Sequence, residues 1–426
     1  MDARPDPAPP TEASVYARAL DARDARFDGI FFVGITTTRI YCRPVCPARV
    51  AYHSHRRFFD SAAAAELAGF RPCLRCRPEL APGRAAVDAI SRIARTAEHR
   101  IAAGALNGRS VADLAREMGV SERHLRRALD RTLGISPIRL AQTHRLLFAK
   151  RLLADTSLPV TQVAFASGFQ SLRRFNACFR EQYRLPPSAV RRVPRAATKA
   201  SASTVQQAQE FLRLTLAYRA PFAWDVLVSC LAGDAIGGVE TVTGRRYGRT
   251  IEIGGRTGVI LAEDAFDPTS QAKATHLNVD VSSQLVPALM PLLARLRQLF
   301  DLDVEPVAID AHLTQGGLGA LVTSRPGVRI PGAIDGFEIA LRALVRGRSR
   351  APRRSGVEDG GPESADPAAR LAWELGAPID SGDPRLARLS PTAARVAEAG
   401  SARLVALGIP QARADAAVAL GRTVAA

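Results

Sequence analysis

The chain has 426 residues, which at roughly 100 to 200 residues per domain predicts two to four domains and excludes a single small module. Its 47% hydrophobic and 23% charged residues exclude a chain that is disordered throughout, and no apolar run reaches the roughly 18 residues that a membrane-spanning helix needs. The net charge of +17 lies entirely in residues 1–200, which hold 34 basic and 17 acidic side chains, so nucleic acid rather than a membrane surface is the expected partner of that half.

The amino terminus is proline-rich. Residues 1–12 (MDARPDPAPPTE) contain four prolines and no apolar segment of the kind that secretory signals carry. We therefore predict a flexible leader and a cytoplasmic protein.

Four of the six cysteines form two close pairs in residues 13–82. They are Cys42 and Cys46 in YCRPVCPAR, and Cys73 and Cys76 in FRPCLRCRPE. Two short knuckles of this spacing can present four thiolates to one tetrahedral ion, so the pattern predicts a zinc site; disulfides are the alternative, which a reducing compartment disfavours. Cys178 and Cys230 have no paired neighbour and are interpreted as inert core thiols.

Arginines flank these four cysteines in the sequence. They are Arg39, Arg43, Arg49, Arg71, Arg75 and Arg77. A zinc ion with four thiolates is formally dianionic, so its sulfurs stay nucleophilic, and arginines can hold a DNA phosphate beside them. Chemistry alone leaves two interpretations open: a purely structural zinc site, and a thiolate that removes an alkyl group from a phosphate oxygen.

The segment from Phe27 to Leu80 (FDGIFFVGITTTRIYCRPVCPARV, then RRFFDSAAAAELAGFRPCLRCRPEL) resembles the amino-terminal zinc domain of the Ada family of alkylation-repair proteins. The resemblance implies that Cys42 takes a methyl group from a methylphosphotriester in DNA and shares one zinc ion with the other three cysteines. It also implies DNA contacts from Thr38, Arg49, Arg71 and Arg75. Arg39 stands where the family usually has glycine, so we expect backbone strain if this position needs a positive φ.

The implied reaction changes the charge of the site. In-line attack by the Cys42 sulfur leaves a neutral thioether, which offers no easy route back, so each molecule is expected to react once. The charge of the zinc centre falls from about −2 to about −1. Because two unit charges 4 Å apart interact by roughly 4 kcal/mol at an effective dielectric constant of 20, we expect methylation to tighten DNA binding by about one to three orders of magnitude.

Residues 83–195 predict an all-α domain with an internal repeat. SVADLAREMGVSERHLRRALDRTLGISP and VTQVAFASGFQSLRRFNACFREQYRLPP each read as two helices joined at a glycine, Gly119 or Gly168, that is free to take a positive φ. The residues predicted to face the core are Leu114, Met118, Leu125, Leu129, Val163, Phe175 and Phe179. The sequence therefore predicts two helix-turn-helix units joined by a linking helix, RLAQTHRLLFAKRLL.

The second helix of each unit is the predicted DNA-reading element. In the first unit, Ser121 is the expected N-cap, and Arg123 and Arg127 share the face opposite the buried leucines. In the second unit the same roles fall to Ser171, Arg173, Arg174 and Asn176. A helical bundle with solvated arginines is the alternative. The arrangement resembles the AraC family of transcription activators, which implies contact with a promoter and adds RNA polymerase as an expected partner.

Residues 196–206 predict a linker, after which the chain changes character. Alternation in LRLTLAY, RTIEIGG, TGVILAED and HLNVDVS predicts strands, and LVPALMPLLARLRQLFDLD predicts an amphipathic helix. Residues 207–330 therefore predict an antiparallel sheet covered by helices on one face. Residues 205–345 resemble the AlkA family of DNA glycosylases, over its amino-terminal domain and the first helix of its catalytic domain.

Residues 331–426 are expected to form an incomplete helical glycosylase domain, with a disordered stretch near 346–369. Up to Ala426 we find neither the helix-hairpin-helix nor the aspartate that would help to expel a flipped base. Asp335 and Glu338 in DGFE are interpreted as capping or solvating the start of a helix. Base excision is therefore the alternative function. No cysteine–histidine motif for repair of alkylated guanine occurs in the sequence.

Taken together, these patterns predict a multidomain α+β protein. Its parts are a small α/β domain with zinc bound by four cysteines, an all-α double helix-turn-helix domain, an antiparallel-sheet-plus-helix AlkA-like domain and an incomplete α-helical glycosylase domain. The leading hypothesis is a zinc-thiolate methyl acceptor that becomes a promoter-binding activator of an alkylation response. The alternatives are a DNA-3-methyladenine glycosylase and an AraC-type regulator whose zinc is purely structural.

Overall fold

The computed structural model describes residues 12–78, 81, 92–191, 211–265, 274–347 and 364–425. The chain divides into two compact units, of which the first comprises Met1–Ala154 and Leu158–Arg192, and the second Asp155–Ser157 and Val193–Ala426. The predicted leader as far as residue 11, the predicted domain boundary at 82/83 and the predicted linker 196–206 lie outside the described residues. No helix in the described part of the chain is both long and apolar enough to cross a lipid bilayer.

Residues 12–78 form a small α/β domain. Its elements are α1 (Glu12–Asp21), β1 (Phe32–Ile35), β2 (Ile40–Cys42), β3 (Arg56–Phe59), α2 (Ala62–Leu67) and β4 (Arg71–Pro72). The sheet has the order β3-β1-β2-β4; β1 is antiparallel to β3 and β2, and β4 runs parallel to β2. Ser61 is the N-cap of α2, and its hydroxyl accepts a hydrogen bond from the Ala64 amide at 3.0 Å.

Aromatic side chains fill the core of this domain. Phe32 packs edge-on against Tyr41, with ring centroids 5.8 Å apart, and Phe59 packs in the same way against Phe70 at 5.3 Å. Gly34 lies between the last two rings: a Cβ atom there would come within 2.7 Å of both Phe59 and Phe70. This close approach explains a glycine inside a strand.

Seven helices follow among the described residues of the first unit. They are α3 (Arg92–Ala102), α4 (Val111–Glu117), α5 (Glu122–Leu133), α6 (Pro137–Asp155), α7 (Val160–Ala166), α8 (Leu172–Tyr183) and α9 (Pro187–Val190). Helices α4 and α5 form the first helix-turn-helix, α7 and α8 the second, and α6 joins them. Gly119 (φ 68°) and Gly168 (φ 83°) provide the two turns, as predicted. Of the residues predicted to face the core, all are buried except Met118, which is half-buried.

The second unit begins with a five-stranded antiparallel sheet of order β5-β9-β8-β7-β6. Its elements are β5 (Phe211–Ala217), α10 (Trp224–Asp234), β6 (Glu240–Thr243), β7 (Arg246–Ile253), β8 (Arg256–Asp264), β9 (His276–Ser282), α11 (Leu289–Leu299), α12 (Pro306–Leu313) and α13 (Gly319–Ser324). Leu277, Val279 and Val281 of β9 are buried, as the alternating pattern predicted. The sheet with its packed helices confirms the predicted α+β architecture of this region.

A helical part completes the second unit. It consists of α14 (Gly336–Arg346), α15 (Pro367–Leu375), α16 (Ala393–Ala406) and α17 (Gln411–Ala425). These helices share an apolar cluster with Ile236 and Val239, which precede β6. Of the stretch predicted to be disordered, residues 348–363 lie outside the described residues, whereas Arg346 ends one helix and Pro367 begins another.

Two interpretations of single residues need correction. Asp335 caps α14 as expected, since its carboxylate accepts the Glu338 amide at 3.0 Å, but Glu338 is buried rather than solvated. Its carboxylate accepts hydrogen bonds from Arg249 of β7 at 2.7 Å and from Arg342 at 3.0 Å. Burial alone would raise the pKa of Glu338, but the charges of the two arginines outweigh burial and lower it.

The second correction concerns Cys230, which is exposed and not a core thiol. The buried face of α10 consists of Trp224, Leu227, Val228 and Leu231, at helical spacing, and position 230 falls outside that stripe. Cys178 is half-buried for a similar reason, because the buried face of α8 is formed by Phe175, Phe179 and Tyr183.

Candidate metal centre and DNA-binding face

Two adjacent strands bring the paired cysteines together. Strand β2 ends at Cys42, and β4 lies beside it with Tyr41 opposite Pro72, so that Cys73 follows directly after β4. The sulfur atoms of Cys42, Cys46, Cys73 and Cys76 all lie within 4.8 Å of one another. Four sulfurs around one zinc ion at about 2.3 Å are separated by about 3.8 Å, so the four side chains fit a tetrahedral ion with small adjustments.

Backbone amides surround part of the cluster. The Arg75 and Cys76 amides donate to the Cys73 sulfur at 3.3 and 3.5 Å, and the Arg43 amide donates to the Cys76 sulfur at 3.4 Å. Within the described residues, no backbone amide donates to the sulfur of Cys42. Since such hydrogen bonds draw electron density from a thiolate, they lower the nucleophilicity of the Cys73 and Cys76 sulfurs.

The four thiols perturb each other strongly. The pKa of Cys42 is raised, mainly by its hydrogen bond with Cys46. Hydrogen bonding with Cys42 is in turn the main cause that lowers the pKa of Cys46, to about 7, and it lowers the pKa of Cys73 still further. Opposite shifts of neighbouring pKa values are expected when the groups cannot all ionise together. The cluster therefore needs a cation to hold four thiolates at once.

Accessibility also distinguishes one cysteine. Cys46, Cys73 and Cys76 are buried, and Cys42 is half-buried. Cys42, the residue whose sulfur accepts no amide within the described residues, is thus the least buried of the four when the whole residue is counted.

The residues expected to contact DNA near the cluster all lie on the surface. Thr38, Arg49, Arg71 and Arg75 are exposed. Arg43 is different, because its guanidinium is half-buried and Nε donates to the Asp28 carboxylate at 2.8 Å. Of the flanking arginines, Arg43 therefore supports the fold rather than facing a phosphate. The DNA contacts themselves stay predictions.

Arg39 has the positive φ that the glycine of the family suggested. Its φ is 56°, and its guanidinium lies 5.6 Å from the centroid of the Phe70 ring. A left-handed conformation costs a non-glycine residue about 1 to 2 kcal/mol, and an exposed cation–π contact returns about 0.5 to 1 kcal/mol.

We expect Arg39→Gly to raise the free energy of unfolding of the first unit by about 0.5 to 1 kcal/mol, because it removes strain that exceeds the lost ring contact. Urea denaturation measures the change. Arg57→Gly is the matched control: Arg57 makes the same kind of contact with Phe59, at 5.2 Å, but lies inside a strand, where glycine destabilises. Equal destabilisation by both substitutions would show that position 39 is not strained.

The second helices of the helix-turn-helix units present their polar faces as predicted. Ser121 accepts the His124 amide at 3.2 Å, and Arg123 and Arg127 are exposed opposite the buried leucines. In the second unit, Ser171 accepts the Arg174 amide at 3.4 Å, so both serines act as N-caps. The remaining predicted contact residues are Arg173 and Arg174, which are exposed, and Asn176, which is half-buried.

Sequence reasoning missed a contact between the cysteine cluster and α6. The ammonium of Lys150 donates to the Cys73 carbonyl at 3.1 Å, and the Tyr41 hydroxyl donates to the Glu66 carboxylate at 2.9 Å on the same side of the domain. One signal was available: the chain has only three lysines among its 58 basic residues, so a lysine inside a helix was unusual.

Three family models match the chain. They are the metal binding domain of Ada over residues 15–79, a helix-turn-helix domain over 114–193 and the AlkA N-terminal domain over 213–335. The first match and the sulfur geometry together identify the cluster as the zinc site of an Ada-type domain.

Curated relatives agree with this division. The probable bifunctional transcriptional activator/DNA repair enzyme AlkA of Mycobacterium tuberculosis is 34% identical over 397 residues, which are 93% of this chain and 75% of that protein. DNA-3-methyladenine glycosylase 2 of Escherichia coli is 32% identical over 48% of this chain and 65% of its own length. The bifunctional transcriptional activator/DNA repair enzyme Ada of Escherichia coli is 34% identical over 33% of this chain and 39% of its own length. The chain therefore belongs to the family of bifunctional transcriptional activators and DNA repair proteins that join Ada-type and AlkA-type domains.

Proposed function

We propose that Cys42 accepts a methyl group from methylphosphotriesters in DNA and that the methylated chain binds promoters as an activator of an alkylation response. One observation carries the proposal: among the four clustered cysteines, Cys42 alone is a partly exposed residue whose sulfur accepts no backbone amide within the described residues. A purely structural zinc site gives no reason for this asymmetry.

The reaction follows from the surroundings of Cys42. A lone pair of its sulfur attacks the methyl carbon, the carbon–oxygen bond breaks, and its electron pair stays on the phosphate oxygen, which regains the negative charge of a diester. Zinc, when bound, keeps all four thiols deprotonated and nucleophilic. Cys46, Cys73 and Cys76 hold the geometry, and the thioether formed on Cys42 offers no easy route back to a thiolate. Each chain is therefore consumed by one transfer.

The exposed arginines support binding of the substrate backbone. Arg49, Arg71 and Arg75 flank the cluster and match in position the DNA-facing residues that the Ada resemblance implies, together with Thr38. Arginine is well suited to this role because its planar fork can donate two hydrogen bonds to one phosphate. They would hold a methylated phosphate where Cys42 can reach it.

The helix-turn-helix units support the activator function. With Arg123 and Arg127 on one reading helix and Arg173 and Arg174 on the other, two basic faces are available for a promoter. RNA polymerase is the further partner that activation would require. The proposal places the chain in the cytoplasm, with access to DNA and with reduced thiols.

Base excision is the second candidate. The match to the AlkA N-terminal domain and the relative named DNA-3-methyladenine glycosylase 2 favour it. Neither carboxylate in DGFE is free for that chemistry, because Asp335 caps a helix and Glu338 pairs with Arg249 and Arg342.

Incubation with methylated duplex DNA separates the candidates. We expect one methyl group per chain, found by mass analysis on the peptide that contains Cys42, and no released 3-methyladenine above background. If the chain retains zinc but carries no methyl group on Cys42, the zinc site is purely structural and the proposal is refuted. Released 3-methyladenine would establish glycosylase activity.

A further inference from the structure

A lysine of the helical domain contacts the backbone of one of the four clustered cysteines. Lys150 lies on α6, the helix that joins the two helix-turn-helix units, and its side chain is only 1% exposed. Its ammonium donates to the carbonyl oxygen of Cys73 at 3.1 Å. A ligand of the zinc site is thus held directly by the domain that reads DNA.

Helix α6 is also linked to β2, the strand that ends at Cys42, through Glu66 of α2. The Glu66 carboxylate accepts the Tyr41 hydroxyl at 2.9 Å and also bonds the Thr143 hydroxyl of α6. Tyr41 is fully buried and immediately precedes Cys42 in β2. The contact between α6 and the zinc domain therefore involves both halves of the cysteine cluster.

The choice of lysine is informative in this chain. It has 58 basic residues and only three lysines; the other two, Lys199 and Lys273, lie outside the described residues. Arginine in a buried position must satisfy five donors in a fixed fork, whereas lysine places a compact ammonium against a single carbonyl. The contact with Cys73 suits lysine.

A buried ammonium requires negative charge nearby, because its desolvation costs several kcal/mol unless it is paired. Glu66 is one candidate, but burial raises its pKa to about 7 despite hydrogen bonds from Tyr41 and Thr143 and the charges of Lys150 and Arg139. The four cysteine thiolates exceed the charge of one zinc ion by two, and they add negative charge close to Lys150 because its ammonium contacts the carbonyl of Cys73, which carries one of them.

We propose that Lys150 is a positioning residue of the methyl acceptor: it fixes the Cys73 segment and, as a counter-charge, restrains the nucleophilicity of the cluster. The inference rests on the proposed function of Cys42 and adds that the reactive centre is completed by α6. Methylation removes one negative charge from the cluster and so weakens the attraction on Lys150. The helix between the two DNA-reading units would then respond directly to the state of Cys42.

Methyl iodide tests the restraint without DNA. The sulfur lone pair forms the new bond to carbon as iodide leaves, and the exposed Cys230 of the second unit serves as an internal reference for the rate at Cys42. We expect Lys150→Met to raise the ratio of the Cys42 rate to the Cys230 rate by about three- to tenfold, because a unit charge near the thiolates no longer opposes donation of their electrons. Lys150→Arg keeps a cation and should return the ratio towards that of the unchanged protein.

Zinc release to an excess of chelator provides a second readout that does not depend on reactivity. Removing a partner of a ligand commonly weakens metal binding by about 10- to 100-fold, so Lys150→Met should lose zinc at least about tenfold faster. Lys150→Arg should lie closer to the unchanged protein. A purely structural role of Lys150 would speed zinc release in both variants without raising the Cys42 rate.

The outcomes separate this inference from the proposed function. If the unchanged protein is methylated on Cys42 by DNA and by methyl iodide, and Lys150→Met matches it in both readouts, only the role of Lys150 is refuted. The same holds if Lys150→Arg reacts as fast as Lys150→Met, since charge would then not be the cause. If the unchanged, zinc-loaded protein reacts at Cys42 with neither donor, the proposed function and this inference both fail.

Discussion

Cys42→Ser is expected to abolish methyl transfer from methylphosphotriester DNA, with a rate at least about a thousandfold lower than that of the unchanged chain. A serine hydroxyl stays protonated at neutral pH and is a far weaker nucleophile than a thiolate. A thousandfold loss corresponds to roughly 4 kcal/mol of activation free energy. The measurement is the amount of methyl group transferred to protein from DNA labelled in its methylphosphotriesters, followed over time.

Cys230→Ser is the matched control. This exposed thiol lies in the second unit and belongs to no cluster among the described residues, so its loss should leave the transfer rate unchanged. Cys73→Ser should behave differently from both, because it removes a buried ligand and weakens zinc binding itself. Full transfer by Cys42→Ser would assign the reaction to another residue.

The second large effect concerns stability. We expect Arg249→Met to lower the free energy of unfolding of the second unit by about 3 to 5 kcal/mol, the usual cost of removing one partner from a buried ionic group. Arg249 is 2% exposed and donates to Glu240 at 3.3 Å and to Glu338 at 2.7 Å. Without it, Arg342 would still donate to both buried carboxylates and Tyr247 to Glu240, but one of the two positive charges of the network would be lost. Urea denaturation, followed for the second unit, measures the loss.

Arg213→Met is the control for this prediction. Arg213 makes two hydrogen bonds to Asp280, at 2.7 and 2.8 Å, but its side chain is 60% exposed, so the cost should stay below about 1 kcal/mol. The pH dependence of the free energy of unfolding provides a further check. The pKa of Glu338 is lowered in the folded state, so its pairing stabilises above the unfolded pKa and is lost as the pH falls through the folded pKa. Equal losses for both variants would contradict a buried network.

The features that the sequence predicts well are local ones. The cysteine spacing depends on two short knuckles, and the caps at Ser121 and Ser171 and the turns at Gly119 and Gly168 each depend on four or five consecutive residues. In such cases the residue type and the conformation that it favours lie together in the chain. Their prediction needs no knowledge of tertiary packing.

The features that the sequence does not predict depend on pairs of residues that are far apart in the chain. Glu338 and Arg249 are 89 residues apart, and Lys150 and Cys73 are 77 residues apart, so no local pattern joins them. A carboxylate near a helix start is usually a cap or a solvated group, and only the neighbouring strand shows that Glu338 is buried. The interpretation of Cys230 as a core thiol was wrong for a different reason. Its apolar neighbours indicate a helix, but they do not show which face of that helix is buried.

The affinity of one preparation for duplex DNA, measured at physiological salt before and after Cys42 has been methylated, tests the charge switch most directly. The loss of one negative charge beside a phosphate should lower the dissociation constant by about ten- to thousandfold. An affinity that stays the same or falls, in protein that has kept its zinc and carries the thioether on Cys42, would contradict the proposal that methylation turns this repair protein into an activator.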